Sequence, residues 1–150
     1  MEKITFDINP LGKPRMVRSD LWNKRPAVQR YWEFKDRINI QANLLGYKVT
    51  AELCLEFIIP MSDSWTDKKK AMMIGKPHQQ TPDIDNLVKA FLDALCDQDN
   101  FVYYISAKKT WGNSGKIIVY KDNCNTFTEW KKKKGNPWLC LGPFPPCKKN

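Results

Sequence analysis

The sequence contains a single histidine, no Cys-x-x-Cys pair and no long hydrophobic run. His78 is far in sequence from the C-terminal cysteines, so a structural zinc site is not expected. No stretch of about 18 apolar residues is present, so we expect no membrane-spanning segment. Residues 1–4 lack the apolar core of a signal peptide, which predicts a protein that is not exported.

The cysteines are odd in number, which argues against a complete set of disulfides. There are five, and Cys54 and Cys96 fall within apolar segments. Together with the missing export signal, this pattern predicts free thiols in a reducing, cytoplasmic compartment.

Negative charge is scarce relative to positive charge. The chain has 16 Asp and Glu residues against 25 Lys and Arg residues, a net charge of +9 and a pI of about 9.3. Such a balance favours polyanionic partners, nucleic acid first and an acidic membrane surface second. With 42% hydrophobic residues and six tryptophans, 150 residues suffice for one folded domain with a core.

The clearest pattern lies at residues 81–99. Thr81 or Asp83 can cap the first amides of a helix, and Pro82 suits a first helical turn. Apolar residues then recur with the period of one buried helix face, at positions 84, 87, 88, 91, 92 and 95. These residues predict an amphipathic helix.

Carboxylates flank this helix at both ends. Asp83 and Asp85 surround its start, where free amides favour anions, and Asp99 precedes an aromatic run typical of a strand. If that strand returns alongside the helix, the three carboxylates converge near Lys89 and suit a hard cation such as Mg²⁺. The alternative is a helix cap plus a surface ladder in which Asp85, Lys89 and Asp93, spaced four apart, line one exposed edge.

The remaining segments alternate between strand and helix patterns. Alternating apolar residues predict strands at 2–8, 48–59 and 101–110, with 116–120 returning from a Gly-rich turn as a hairpin partner. A helical period predicts a helix over 26–45 with Gly46 as its C-cap, and Ser64 can cap a short helix reaching Ile74.

Residues 13–25 form a basic segment with Asp20 as its single acid. Nearby prolines and glycine argue for a loop rather than a helix. Trp22 lies among the charges, and an aromatic between basic residues suits a nucleic-acid backbone track with a stacking surface. The alternative is a solvated basic loop. The candidate DNA-binding residues are Lys13, Arg15, Arg18, Lys24 and Arg25.

Residues 123–150 differ from the rest in composition. They contain a four-lysine run at 131–134 and a proline-rich end. We expect an appended, poorly ordered basic tail, which either adds non-specific nucleic-acid affinity or contributes only solubility.

Three motifs carry a resemblance to a known family. They are Gly-Lys-Pro-Arg at 12–15, Gly-Lys-Pro-His at 75–78, and Pro-Asp-Ile-Asp-Asn-Leu-Val-Lys-Ala at 82–90 followed by Leu-Asp-Ala-Leu at 92–95. With these motifs the chain resembles the RusA-type Holliday junction resolvases, small endonucleases of phages and prophages. The resemblance covers roughly residues 3–121 and leaves the tail outside.

The resemblance implies an α+β fold over residues 1–122, with a small mixed β-sheet packed against two main helices. It also implies a homodimer that cuts four-way DNA junctions with paired, Mg²⁺-dependent nicks in DNA recombination and repair, in the cytoplasm of a bacterial cell. By matching positions, it implies Asp83, Asp85 and Asp99 as catalytic, metal-binding carboxylates and Lys89 as the catalytic lysine. Lys76, in the second motif, joins the candidate DNA-binding residues.

The chain departs from the family pattern at the third carboxylate. The family often has an Asp-Asp pair there, whereas this chain has Gln98, Asp99 and Asn100. The connection from the helix is short, which leaves Asp97 as a competitor for the third position. Two other functions stay open: a non-catalytic nucleic-acid-binding module, and a nuclease that prefers flaps or other branched DNA.

Overall fold

Four strands and three α-helices make up residues 2–121, the part of the chain that the computed structural model describes. The strands are β1 (Lys3–Phe6), β2 (Glu52–Pro60), β3 (Tyr104–Gly112) and β4 (Lys116–Tyr120). The helices are α1 (Pro26–Leu45), α2 (Asp67–Met73) and α3 (Ile84–Leu95), with a 3-10 turn at Arg18–Leu21. The predicted α+β fold with a small mixed sheet is confirmed. The tail predicted for residues 123–150 lies outside the described residues.

The strands form one sheet in the order β1-β4-β2-β3. β2 pairs in parallel with β3 and antiparallel with β4, and β4 also pairs antiparallel with β1. A parallel pair requires a crossover connection, and α3 lies within it. The crossover returns the chain to the sheet as β3, an edge strand beside α3.

β3 and β4 do not form the predicted hairpin, because β2 lies between them. The chain passes over the end of β2 instead, with Gly112 opposite Pro60 and Lys116 opposite Ile58. A Cβ on Gly112 would lie 2.2 Å from Cγ2 of Ile58, so glycine permits this close approach. The turn residues indicate a chain reversal, but they do not determine which strands pair. The apolar β2 takes neighbours on both sides.

α1 and α3 contact each other and supply the helical layer over the sheet. Their apolar stripes pack against side chains from β1, β2 and β4 in one core. Each fully buried Leu, Ile or Phe side chain contributes roughly 1.5–3 kcal/mol to folding. The most deeply buried members are Phe6, Ile38, Leu55, Phe57, Leu87, Phe91 and Ile117.

Helix ends follow the local capping residues, with one correction. α2 begins after Thr66, whose hydroxyl accepts a hydrogen bond from the backbone N–H of Lys69 at 3.3 Å. Ser64, the predicted cap, instead lies 2.7 Å from the hydroxyl of Ser62. The end of α1 is as predicted, since Gly46 adopts the left-handed conformation with φ 62°.

Two expectations drawn from composition concern membranes and thiols. No helix within residues 2–121 combines the length and apolar content needed to cross a lipid bilayer. Cys96 is a free thiol, as predicted. Burial and the nearby carboxylates of Asp99 and Asp97 raise its pKa. Cys54 is disulfide-bonded, so the prediction of free thiols is wrong for this residue.

Candidate active site

The start of α3 presents carboxylates that its own backbone does not use. Asp83 occupies the N-cap position and Pro82 precedes it. The prediction that Pro82 lies in the first helical turn is therefore wrong. The side chain of Asp83 makes no capping hydrogen bond, and only its carbonyl accepts from Leu87 N–H, at 3.1 Å. The exposed carboxylates of Asp83 and Asp85 are therefore available for an external ligand.

One cavity of about 360 Å³ brings together three of the four predicted catalytic residues. Asp85 and Lys89, one helical turn apart on α3, line this cavity together with Asp99 from the loop between α3 and β3. The crossover topology explains why they share a cavity, because β3 returns beside the helix that preceded it. The cavity is otherwise apolar, and its remaining lining residues are Ile84, Val88, Leu92, Ile105 and Ala107.

Asp97, the competitor for the third carboxylate, lies at a different cavity. That second cavity, of about 340 Å³, is also lined by Lys13, Tyr31 and Asp93, and Asp99 is not among its lining residues. Since Asp85 and Lys89 share their cavity with Asp99, the geometry favours Asp99 over Asp97.

The predicted surface ladder along α3 is not formed. Asp93 is half-buried and accepts hydrogen bonds from the ammonium of Lys13 at 2.5 Å and from the hydroxyl of Tyr31 at 3.3 Å. Among the described residues, Lys89 forms no ion pair with Asp85 or Asp93. Lys89 therefore remains available to an anionic ligand in the first cavity.

The donor chemistry of Asp83, Asp85 and Asp99 fits a hard divalent cation. All three carboxylates are exposed, and within residues 2–121 none of them has a hydrogen-bond or ion-pair partner. Carboxylate oxygens are the ligands that Mg²⁺ prefers. No three histidine, cysteine or acidic side chains in this part of the chain are already grouped closely enough to hold a metal. The three ligands thus stay a prediction.

The basic segment is attached directly to α3. The backbone N–H of Lys13 donates to the carbonyl of Asn86 at 3.4 Å, while its ammonium binds Asp93 two turns further along α3. Burial raises the pKa of Asp93, but the hydrogen bond and charge of Lys13, with Lys89 and Tyr31, outweigh it, and the pKa lies below its usual value. The segment and the helix thus form one structural unit.

Within the basic segment, Arg25 has a structural role. Its guanidinium binds both oxygens of Asp20 at 2.6 Å and the carbonyl of Arg15 at 2.9 Å, which fixes the turn. The side chains of Arg15, Arg18 and Lys24 are exposed. Of the five basic residues predicted here to bind DNA, these three present charge to solvent, whereas Lys13 and Arg25 already hold carboxylates.

The second motif runs along the outer edge of β3. Gly75 N–H donates to Trp111 O at 2.9 Å, Trp111 N–H donates to Lys76 O at 2.9 Å, and His78 N–H donates to Lys109 O at 3.0 Å. The side chain of Lys76 is exposed on this edge, so it stays a candidate contact to DNA.

Sequence reasoning missed Lys109 of β3. Its ammonium donates hydrogen bonds to the carbonyls of Gln80 and Pro82, the latter at 2.7 Å, immediately before α3 begins. Two-residue alternation along β3 does place it on the face of Ile105 and Ala107, which line the first cavity. That alternation was the available signal, but it does not indicate the acceptors.

Comparison with known proteins identifies one family. The family model described as endodeoxyribonuclease RusA matches residues 7–120. No curated protein and no solved structure matches the chain.

Proposed function

Because the chain belongs to the RusA family of endodeoxyribonucleases, we propose that it is a Mg²⁺-dependent nuclease that resolves Holliday junctions by paired nicks in DNA recombination and repair. The observation that supports this proposal most directly is the cavity shared by Asp85, Lys89 and Asp99. Phosphodiester hydrolysis needs an activated water and stabilisation of the charge that develops on the phosphoryl oxygens. Carboxylates and a lysine around one cavity supply groups for both.

Asp83, Asp85 and Asp99 would hold the Mg²⁺. When bound, the ion supplies a Lewis acid for the phosphoryl group and a more acidic water. Lys89 neutralises charge on the scissile phosphate from the same cavity rim.

DNA binding would come from four exposed basic side chains. Arg15, Arg18, Lys24 and Lys76 are exposed and contact the phosphate backbone, a sequence-independent and salt-sensitive interaction. Lys13 holds the basic segment against α3 through Asp93, and Arg25 fixes the conformation of the segment through Asp20 and Arg15. The residues proposed to bind the DNA backbone in the basic segment thereby lie on a loop attached to α3, which carries Asp85 and Lys89.

The partners proposed are a branched DNA and a second copy of the chain. A four-way junction is two-fold symmetric, and a two-fold homodimer presents two equivalent sites to it, which accounts for paired incisions. We place the protein in the bacterial cytoplasm, encoded by a phage or prophage, as the family suggests.

The test compares a labelled four-way junction with a duplex and a flap of the same arm sequence, each in Mg²⁺ and in EDTA. We expect nicks in the junction alone and only with Mg²⁺. Asp85→Asn should abolish them, while Asp36→Asn, an exposed aspartate on α1 outside the cavity, should not. Binding without metal-dependent nicking would identify a non-catalytic binding module, and equal cutting of flaps would identify a nuclease for other branched DNA.

A further inference from the structure

The loop that enters α3 is short of backbone hydrogen bonds. None of the amides of residues 79–82 donates to another described backbone carbonyl, and Pro82 has no N–H to donate. On its N-terminal side, His78 is fixed to β3 through its backbone N–H. On its C-terminal side stands Asp83, whose carboxylate does not cap the helix. The backbone just before the first predicted metal ligand therefore depends on other contacts.

Lys109 provides such a contact. Its ammonium donates to the carbonyls of Gln80 and Pro82, so one side chain holds this loop at two positions, two residues apart. Hydrogen bonds from a charged donor are roughly twice as strong as neutral ones, and the bond to Pro82 is partly buried. The strand that carries Lys109 also carries Ile105 and Ala107, which line the cavity shared with Asp85 and Asp99.

We propose that Lys109 is a positioning residue that fixes the entry of α3 to β3 and so holds Asp83 in register with Asp85 and Asp99 for metal binding. This inference rests on the proposed function. Lys109 acts on the ligands through the backbone carbonyls of Gln80 and Pro82 and does not itself touch the substrate. Residues that orient metal ligands typically change metal affinity by 10–100-fold when removed.

The neighbouring Lys108 provides a matched control. It lies next in sequence on the same strand, but its side chain is on the opposite face of the sheet, where its ammonium is 3.3 Å from Glu56. Lys108→Met and Lys109→Met remove the same charge from the same strand. Only the second change removes the donors at the entry of α3.

The first measurement uses metal-free protein and no DNA. Hydrogen–deuterium exchange of a peptide spanning residues 83–91, which contains the first hydrogen-bonded amides of α3 from Leu87 onward, should be faster in Lys109→Met than in wild type, and unchanged in Lys108→Met. Lys109→Arg, which keeps several donors, should restore slow exchange. Unchanged exchange in Lys109→Met would overturn the proposal. If that variant does not fold, Lys109→Gln, with a shorter donor, takes its place under the same criteria.

The second measurement is Mg²⁺ binding by titration calorimetry without DNA. Lys109→Met should raise the Mg²⁺ dissociation constant roughly tenfold, with junction affinity in EDTA and the circular dichroism spectrum unchanged. Equal Mg²⁺ affinity in wild type and Lys109→Met would overturn the proposal. Faster exchange in Lys109→Met together with no Mg²⁺ binding by wild type would instead refute the proposed function, because the anchor would exist without the metal site.

Discussion

Replacing Asp93 with asparagine should destabilise the protein at neutral pH by about 2 kcal/mol. The carboxylate accepts from Lys13 at 2.5 Å and from Tyr31 at 3.3 Å, and the side chains of Lys13 and Asp93 are only 28% and 26% exposed. Exposed ion pairs contribute about 0–1 kcal/mol, whereas breaking a buried one costs about 3–5 kcal/mol. This pair lies between the two cases, and asparagine keeps one acceptor oxygen.

The stability that Asp93→Asn loses should be larger at neutral pH than in acid. Although burial raises the pKa of Asp93, Lys13, Lys89 and Tyr31 together lower it below 3.8. A carboxyl group with a depressed pKa in the folded state stabilises the fold above its unfolded-state pKa, and this stability is lost as pH falls through the folded-state pKa. The difference between wild type and Asp93→Asn should be complete at pH 7 and should shrink below about pH 4.

Urea denaturation of wild type and Asp93→Asn across this pH range measures both the loss of stability and its dependence on pH. A double-mutant cycle with Lys13→Met should give a coupling free energy of about 1–2 kcal/mol at pH 7. The control is Asp97→Asn, since Asp97 is an exposed carboxylate that lines the second cavity together with Asp93. This change should alter stability by less than about 0.5 kcal/mol. The reasoning is refuted if Asp93→Asn is as stable as wild type at pH 7, or if its deficit persists unchanged in acid.

Three further predictions concern catalysis, DNA binding and pH. Lys89→Ala should slow junction cleavage by about 10²–10³-fold with Mg²⁺ affinity unchanged in calorimetry; a wild-type rate would remove Lys89 from the mechanism. Arg18→Ala should weaken junction binding and lower the slope of log K against log salt by about 1 in anisotropy titrations; an unchanged slope would place Arg18 off the DNA. His78 is buried, its Nδ1 has no partner among the described residues, and burial with the charge of Lys109 lowers its pKa. Because this pKa is lower in the fold than in the unfolded chain, stability should decrease as pH falls below about 6.5. His78→Phe should reduce that decrease in urea denaturation at pH 7 and 5.5, and an equal decrease in variant and wild type would contradict this.

Local sequence pattern was sufficient to predict α3 and the side chains it carries. The apolar period fixes which face of α3 is buried, and residues two or four apart on a helix have known relative positions. Asp83, Asp85 and Lys89 could therefore be placed from sequence alone. The competition between Asp97 and Asp99 could not be decided, because it depends on how the chain leaves α3 and enters β3.

Long-range contacts account for what sequence did not predict. Asp93 was assigned to an exposed edge, but its partner Lys13 is 80 residues away in sequence. The donors of Lys109 reach carbonyls 27 and 29 residues earlier, and no periodicity encodes such a contact. The predicted hairpin failed for the same reason, since the turn after Gly112 is local whereas the insertion of β2 is not.

The most direct test of the account is a crystal structure of the protein soaked with Mn²⁺, which substitutes for Mg²⁺ and scatters anomalously. We predict an anomalous peak at the first cavity, about 2.1 Å from carboxylate oxygens of both Asp85 and Asp99. A peak at Asp97 in the second cavity, or no peak at either cavity, would contradict the proposed metal site.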